Sequence, residues 1–158
     1  MKKLLSVIIV ALLTLMTGCG TNVATAPTDA TEAVGMVTVS IEIDASDILK
    51  NYDMLDEALK SEKYVPSDGK ILDEVTVSVP EGSDALTVLE KVSDEYDIFT
   101  DISDGYAKGI NYIYEKSCGE MSGWVYEVNN EMIMDVYTVS EGDLITWKYI
   151  CDFSSFGE

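Results

Sequence analysis

The strongest helical period in the chain lies at residues 81–96, EGSDALTVLEKVSDEY, and alternating segments stand on both sides of it. Ala85, Val88, Leu89, Val92 and Tyr96 recur at helical spacing and make one apolar face. Ser83 is the expected N-cap, with Asp84 complementing the helix dipole. A helix with one apolar face must bury it, and here strands are the available partner. MVTVSIEID at 36–44 alternates, with Val37, Val39, Ile41 and Ile43 on one face and Thr38, Ser40 and Glu42 on the other. ILDEVTVSVP at 71–80 directs Val75, Val77 and Val79 inward, and GWVYEVNN (123–130) and DLITWKYIC (143–151) read as two further strands. The order is strand, irregular helix, strand, helix, then several strands. It predicts an α+β fold: a β-grasp-like roll in which a mixed sheet carries one main helix.

The intervening segments are less regular. Residues 45–66 read as short helical pieces, with Ser46 and Asp53 as candidate N-caps. Residues 97–119 read as short strands with glycine turns, and turns are expected at Asp68-Gly69, Asn129-Asn130 and Glu141-Gly142.

The N-terminus has a different character. Lys2 and Lys3 precede an almost unbroken apolar run from Leu4 to Leu15, too short for a membrane span and typical of a secretory signal. The following LMTGC resembles the bacterial lipobox, whose last residue is diacylated, and this makes Cys19 the expected lipidation site. Two acyl chains suffice for stable attachment. The expected layout is a signal peptide at 1–18, a small-residue polar tether at 19–35, and a folded domain at 36–158. Membrane lipid is then a partner through acylated Cys19, with the protein on the extracytoplasmic face of the cell membrane.

Composition narrows the chemistry. All ten basic residues are lysine, and both arginine and histidine are absent. That excludes Ser-His and Cys-His catalytic pairs, imidazole metal ligands and bidentate guanidinium clamps. A net charge of −19 excludes nucleic acid as a partner. No nucleophile elbow, P-loop or dinucleotide motif occurs, so no catalytic residue is assigned and the protein is not expected to be an enzyme. The acids Asp94, Glu95, Asp97, Asp101 and Asp104 crowd one stretch. Thr100 and Ile102 break the calcium-loop pattern there, so a solvated face is expected and no metal site.

With Cys19 set aside, Cys118 and Cys151 remain. In an exported protein their simplest fate is a disulfide closing a loop of about 34 residues, worth roughly 3–4 kcal/mol on the chain-entropy model. A two-cysteine metal site and a redox pair are the alternatives, and neither shows C-x-x-C spacing.

Trp124, Tyr126 and Val128 share one strand face. Trp124 follows flexible Ser122-Gly123, which makes it a candidate ligand contact as well as a core candidate, whereas Trp147 reads as core. Tyr112 and Tyr114 share a face by period-two spacing. Together with Trp124 they are candidates for an aromatic ledge, set against the plainer reading of tyrosines on an exposed strand.

Residues 36–151 resemble the transcobalamin-like C-terminal domain family, domain of unknown function family 4430, within the soluble-ligand-binding β-grasp superfamily. The resemblance rests on VPEGSDALTVLEKV, GYAKGIN, CGEMSGWVYEVNN and YTVSEGDLITWKYICD, in that order. The family's two signature cysteines fall on Cys118 and Cys151. The family often continues past the second with Asp-Leu-Gly, where this chain has Asp152-Phe153-Ser154. The resemblance implies a binding module. In the animal cobalamin carriers a related domain covers one face of the corrinoid, and the segment corresponding to Gly123–Tyr126 faces the ligand. The carriers' second, helical domain has no counterpart in this sequence. The expected function is therefore a non-catalytic cell-surface lipoprotein with one ligand-binding domain. Trp124, Tyr126, Tyr112 and Tyr114 are its candidate contacts, and cobalamin, another flat small molecule or a glycan is its ligand. No resident cofactor is assigned. The alternative is a structural or adhesion module making extracellular protein contacts.

Overall fold

The alternating segments pair into a five-stranded mixed sheet. The computed structural model describes residues 35–155; the expected signal peptide, Cys19 and residues 20–34 lie outside the described residues. Strand β1 (Met36–Asp44) pairs antiparallel with β2 (Lys70–Pro80), in the register Val37 to Val79, Val39 to Val77 and Ile41 to Val75. On its other side β1 runs parallel to β8 (Leu144–Ile150), with Ile41 opposite Ile145 and Ile43 opposite Trp147. Strand β6 (Gly123–Val128) returns antiparallel to β8, and β7 (Glu131–Ile133) forms the edge. The strand order is β2-β1-β8-β6-β7. A parallel neighbour requires a long crossover. Helix α2 (Ala85–Tyr96) supplies it, with a second antiparallel sheet of β3 (Thr100–Ser103), β4 (Tyr106–Ile110) and β5 (Ile113–Tyr114). This is the α+β arrangement with one main helix that the sequence order predicts.

Pairing puts one face of the sheet inward. Val39, Ile41, Ile43, Val77, Val79, Ile145 and Trp147 are buried there against Ala85, Val88, Leu89 and Val92 of α2. A second cluster lies at one end. Ala45, Ile48, Leu55, Val65 and Ile113 surround Tyr149, Cys118 and Cys151, beneath the short helix α1 (Asp47–Lys50) and the 3-10 turns at Tyr52–Met54 and Glu57–Leu59.

The helix starts differ from the expected caps. Asp84, not Ser83, caps α2: its extended backbone brings Oδ1 to 2.8 Å from the Thr87 N–H, which donates to it. The Ser83 backbone is used elsewhere, donating to the Pro80 carbonyl and accepting from the Val139 N–H. Ser46 stands at the N-cap of α1 without a side-chain cap bond, and Asp53 lies inside a 3-10 turn. Asp84→Ala is expected to lower stability by about 1 kcal/mol, read as a shifted urea midpoint with unchanged m-value.

The opposite face is polar. Lys70 Nζ donates to Asp44 Oδ2 at 2.8 Å and Glu42 Oε2 at 3.1 Å, and Thr146 Oγ1 donates to Glu42 Oε1 at 3.1 Å. Burial raises the Asp44 pKa, but hydrogen bonds from Lys70 and Ser46 outweigh it, and the carboxyl sits below its ordinary value. Folding thus favours the ionised form. Its contribution is complete above the unfolded carboxylate pKa, about 3.9, and is lost as pH falls through the lower folded value. The stability difference between the natural protein and Lys70→Met is therefore expected to shrink between about pH 5 and pH 2, as followed by urea denaturation.

A candidate ligand groove on the inner face

On β6, Trp124 lies opposite Tyr149 of β8, and Tyr126 lies opposite Trp147. Opposed residues of an antiparallel pair share a face, so all four side chains belong to the inner side of the sheet. The rings pack in the same pairs: Trp124 meets Tyr149 edge-on with centroids 5.2 Å apart, and Tyr126 lies tilted on Trp147 at 5.0 Å. Helix α2 does not roof this part of the sheet. Trp124, Tyr126 and Trp147 instead line a cavity of about 380 Å³. Its sides are the start of α2 at Asp84–Leu86, the β3–β4 turn at Asp104–Ala107, and the chain from Ile133 to Tyr137 beyond β7.

The polar ends of the groove aromatics are mostly tied to protein. The Trp124 indole Nε1–H donates to the Ile113 carbonyl at 2.7 Å, Tyr126 OH donates to the Asp135 carbonyl, and Tyr137 OH donates to Asp143 Oδ2 at 3.2 Å. Trp147 differs: its Nε1–H is buried and has no acceptor. A buried donor without a partner costs about 1–3 kcal/mol. Trp147 is thus core, as its position suggests, and also groove wall. Burial pushes the Tyr126 phenol up, and the charges of Asp84 and Asp135 push it the same way. The rim is apolar and exposed, with Met134 at 79% and Val136 at 76% exposure. The sequence reading passes over this rim. Its signal is the alternation of Met132, Met134 and Val136 beyond the Asn129-Asn130 turn.

The four candidate contact residues fall on two surfaces. Trp124 and Tyr126 line the groove; Tyr112 and Tyr114 do not. Tyr112 stacks on Phe99 with ring centroids 4.4 Å apart, Tyr114 lies tilted 6.4 Å from the same ring, and Tyr64 meets Tyr112 edge-on at 5.8 Å. The expected single ledge is divided: Tyr112, a turn residue with φ 67°, and Tyr114 meet through the Phe99 ring, whereas Trp124 packs on Tyr149 and borders the groove. Glycine at 109 makes room for the ledge, since a Cβ there would stand 2.8 Å from the Tyr114 ring.

Cys118 and Cys151 are brought together in the second cluster as two free thiols, 0% and 1% exposed. They hydrogen-bond to each other, and Cys118 Sγ also lies 3.6 Å from the Asn51 carbonyl it donates to. Burial pushes both thiols up. Beside them Tyr149 OH donates to the Tyr114 carbonyl at 2.8 Å and shares a hydrogen bond with Ser122 Oγ at 2.8 Å. Ser122 Oγ also accepts from the Cys118 N–H at 3.1 Å. This network holds the Ser-Gly-Trp corner, and burial pushes Tyr149 up to about 12.

The helix, the small sheet, the groove floor and the closing strand all lie within residues 82–150, which match the family described as "Domain of unknown function (DUF4430)". The match spans the groove aromatics and Cys118, and it ends one residue before Cys151. No curated protein matches the chain.

In reduced, folded protein both thiols are expected to resist iodoacetamide at pH 8 and to react once urea unfolds the domain, with labelling counted by mass spectrometry. Rapid labelling of the folded form would contradict their burial.

Proposed function

We propose that this chain is a non-catalytic module that holds a small ligand in the groove floored by Trp124, Tyr126 and Trp147. The observation that carries this reading is the cavity itself. It lies within the size range of small-molecule sites, is walled by aromatics, and is left open by α2. The resemblance to the transcobalamin-like domains supports the same face, because Gly123–Tyr126 is the segment that resemblance sets against the ligand. Cobalamin is one candidate ligand. A corrinoid is far larger than the cavity and would engage it by one part only. Another flat small molecule or a glycan is the other candidate.

The leader supports placement of the module on the extracytoplasmic side of a membrane, anchored by acylated Cys19. In that setting we propose that Cys118 and Cys151 become joined. An external disulfide would take the two electrons and two protons that the thiols lose. Their mutual hydrogen bond supports the pairing. The alternative adhesion role would use the Phe99–Tyr112 stack, an exposed patch.

Titration of the protein with corrinoids, tetrapyrroles and soluble glycans, followed by tryptophan fluorescence and calorimetry, tests the ligand reading. A binder from this set is expected. Trp124→Ala is expected to weaken it at least tenfold, a loss of about 1.4 kcal/mol, while Tyr112→Ala on the separate ledge leaves it unchanged. Absence of any binder, or a bound ligand indifferent to Trp124→Ala, removes the support for the groove as the site.

A further inference from the structure

The groove has a second property besides its shape. Four acidic residues line it, Asp84, Asp104, Glu115 and Asp135, and no lysine does. One of the four is neutralised locally: Asp104 pairs with Lys108 at 2.8 Å. Asp84 is spent on the α2 cap. Glu115 and Asp135 have no ion pair among the described residues. The walls between these carboxylates are aromatic: Tyr106, Trp124, Tyr126, Tyr137 and Trp147. Burial is the main cause that pushes the Tyr126 phenol up, and the charges of Asp84 and Asp135 act in the same direction.

Aromatic faces and carboxylates attract the same class of ligand. A ring quadrupole presents negative density to a cation, and the attraction grows when the cation is weakly hydrated and the site excludes water. A carboxylate rim adds long-range attraction. An anionic ligand would meet net repulsion, because no arginine exists in the chain and Lys108, whose charge also acts on Glu115, is held by Asp104. We infer that the groove selects an organic cation, a quaternary or protonated amine carrying apolar substituents, held between the aromatic walls with Glu115 and Asp135 at its mouth. This rests on the reading of the groove as a ligand site and adds the chemical class of what enters it.

Two isosteric probes separate the two claims. Phenyltrimethylammonium and tert-butylbenzene have nearly the same shape and differ by one positive charge. Binding of each to the purified protein is followed by tryptophan fluorescence at low ionic strength. The cation is expected to bind at least fivefold more tightly. The double variant Glu115→Gln, Asp135→Asn is expected to reduce that preference below twofold. Both positions are exposed, and an unchanged circular dichroism spectrum verifies the fold. The control variant Glu62→Gln, Glu90→Gln removes the same net charge at exposed positions outside the groove lining and is expected to keep the preference.

Equal binding of the two probes would overturn the cation inference and leave the groove as a site for neutral apolar ligands. Equal loss of preference in both double variants would also overturn it, by assigning the effect to the net charge of the whole protein. Binding of neither probe would overturn it together with the ligand-site reading.

Discussion

Five strands spaced about 4.8 Å apart make a sheet roughly 20 Å wide, whereas a helix with its side chains is about 10–12 Å across. One helix therefore cannot cover the inner face of this sheet, and α2, with 12 residues, is the main helix available. It settles over the β2-β1-β8 side, where the aliphatic residues are. The remaining face has to be closed by something else or left open. At one end the short helical turns and the two cysteines close it. Over Trp124, Tyr126 and Trp147 it is left open, and the groove is what results. The candidate site is thus the part of the inner face that α2 borders with its first residues but does not cover.

Large aromatics suit that position better than aliphatics. A side chain that is core along one edge and groove wall along another must be wide and rigid. Trp124 meets this demand by spending its N–H inward on Ile113 while the ring borders the cavity. Tyr149, directly opposite Trp124 on β8, ties the groove floor to the cysteine cluster through Ser122 and the Tyr114 carbonyl. The Ser-Gly-Trp corner is therefore held by hydrogen bonds in addition to any bond between the sulfurs. Its geometry is already fixed with both thiols free.

Much of this was legible from the residues because the inner face follows simple alternation. Val37 to Ile43, Val75 to Val79, and Trp124, Tyr126 and Val128 occupy the faces that period two assigns them. The parts that were not legible are those where local rules compete. Ser83 and Asp84 are both good caps, and the Ser83 backbone is held by a local turn bond to Pro80 and a long-range bond from Val139, which leaves the cap to Asp84. Tyr112 and Tyr114 looked like strand neighbours, but Tyr112 stands in a left-handed turn, a conformation rarely adopted by a bulky residue, and the two rings meet through Phe99 and apart from Trp124. The rim from Ile133 to Tyr137 was hidden for another reason. The paired left-handed Asn129 and Asn130 were recognisable as a tight hairpin turn, but β7 beyond them is only three residues long. Nothing in so short a run announces that the chain after it will turn back over the sheet. The cavity is assembled from three separated segments, and no periodicity within one segment can describe it.

The distribution of hydrogen bonds also says how such a groove discriminates. With Trp124, Tyr126 and Tyr137 donating to protein oxygens, few wall groups remain to recognise a ligand's polar edge by direct pairing. Selection then falls to shape and to the electrostatic field, which the acidic rim sets. Burial of an exposed Met134 or Val136 side chain by a bound ligand contributes up to about 1.5–3 kcal/mol each from apolar area alone. That contribution is indifferent to ligand identity, so it supplies affinity without choice. The choice comes from the unpaired carboxylates of Glu115 and Asp135, and from a composition that provides no cation in the lining to oppose them.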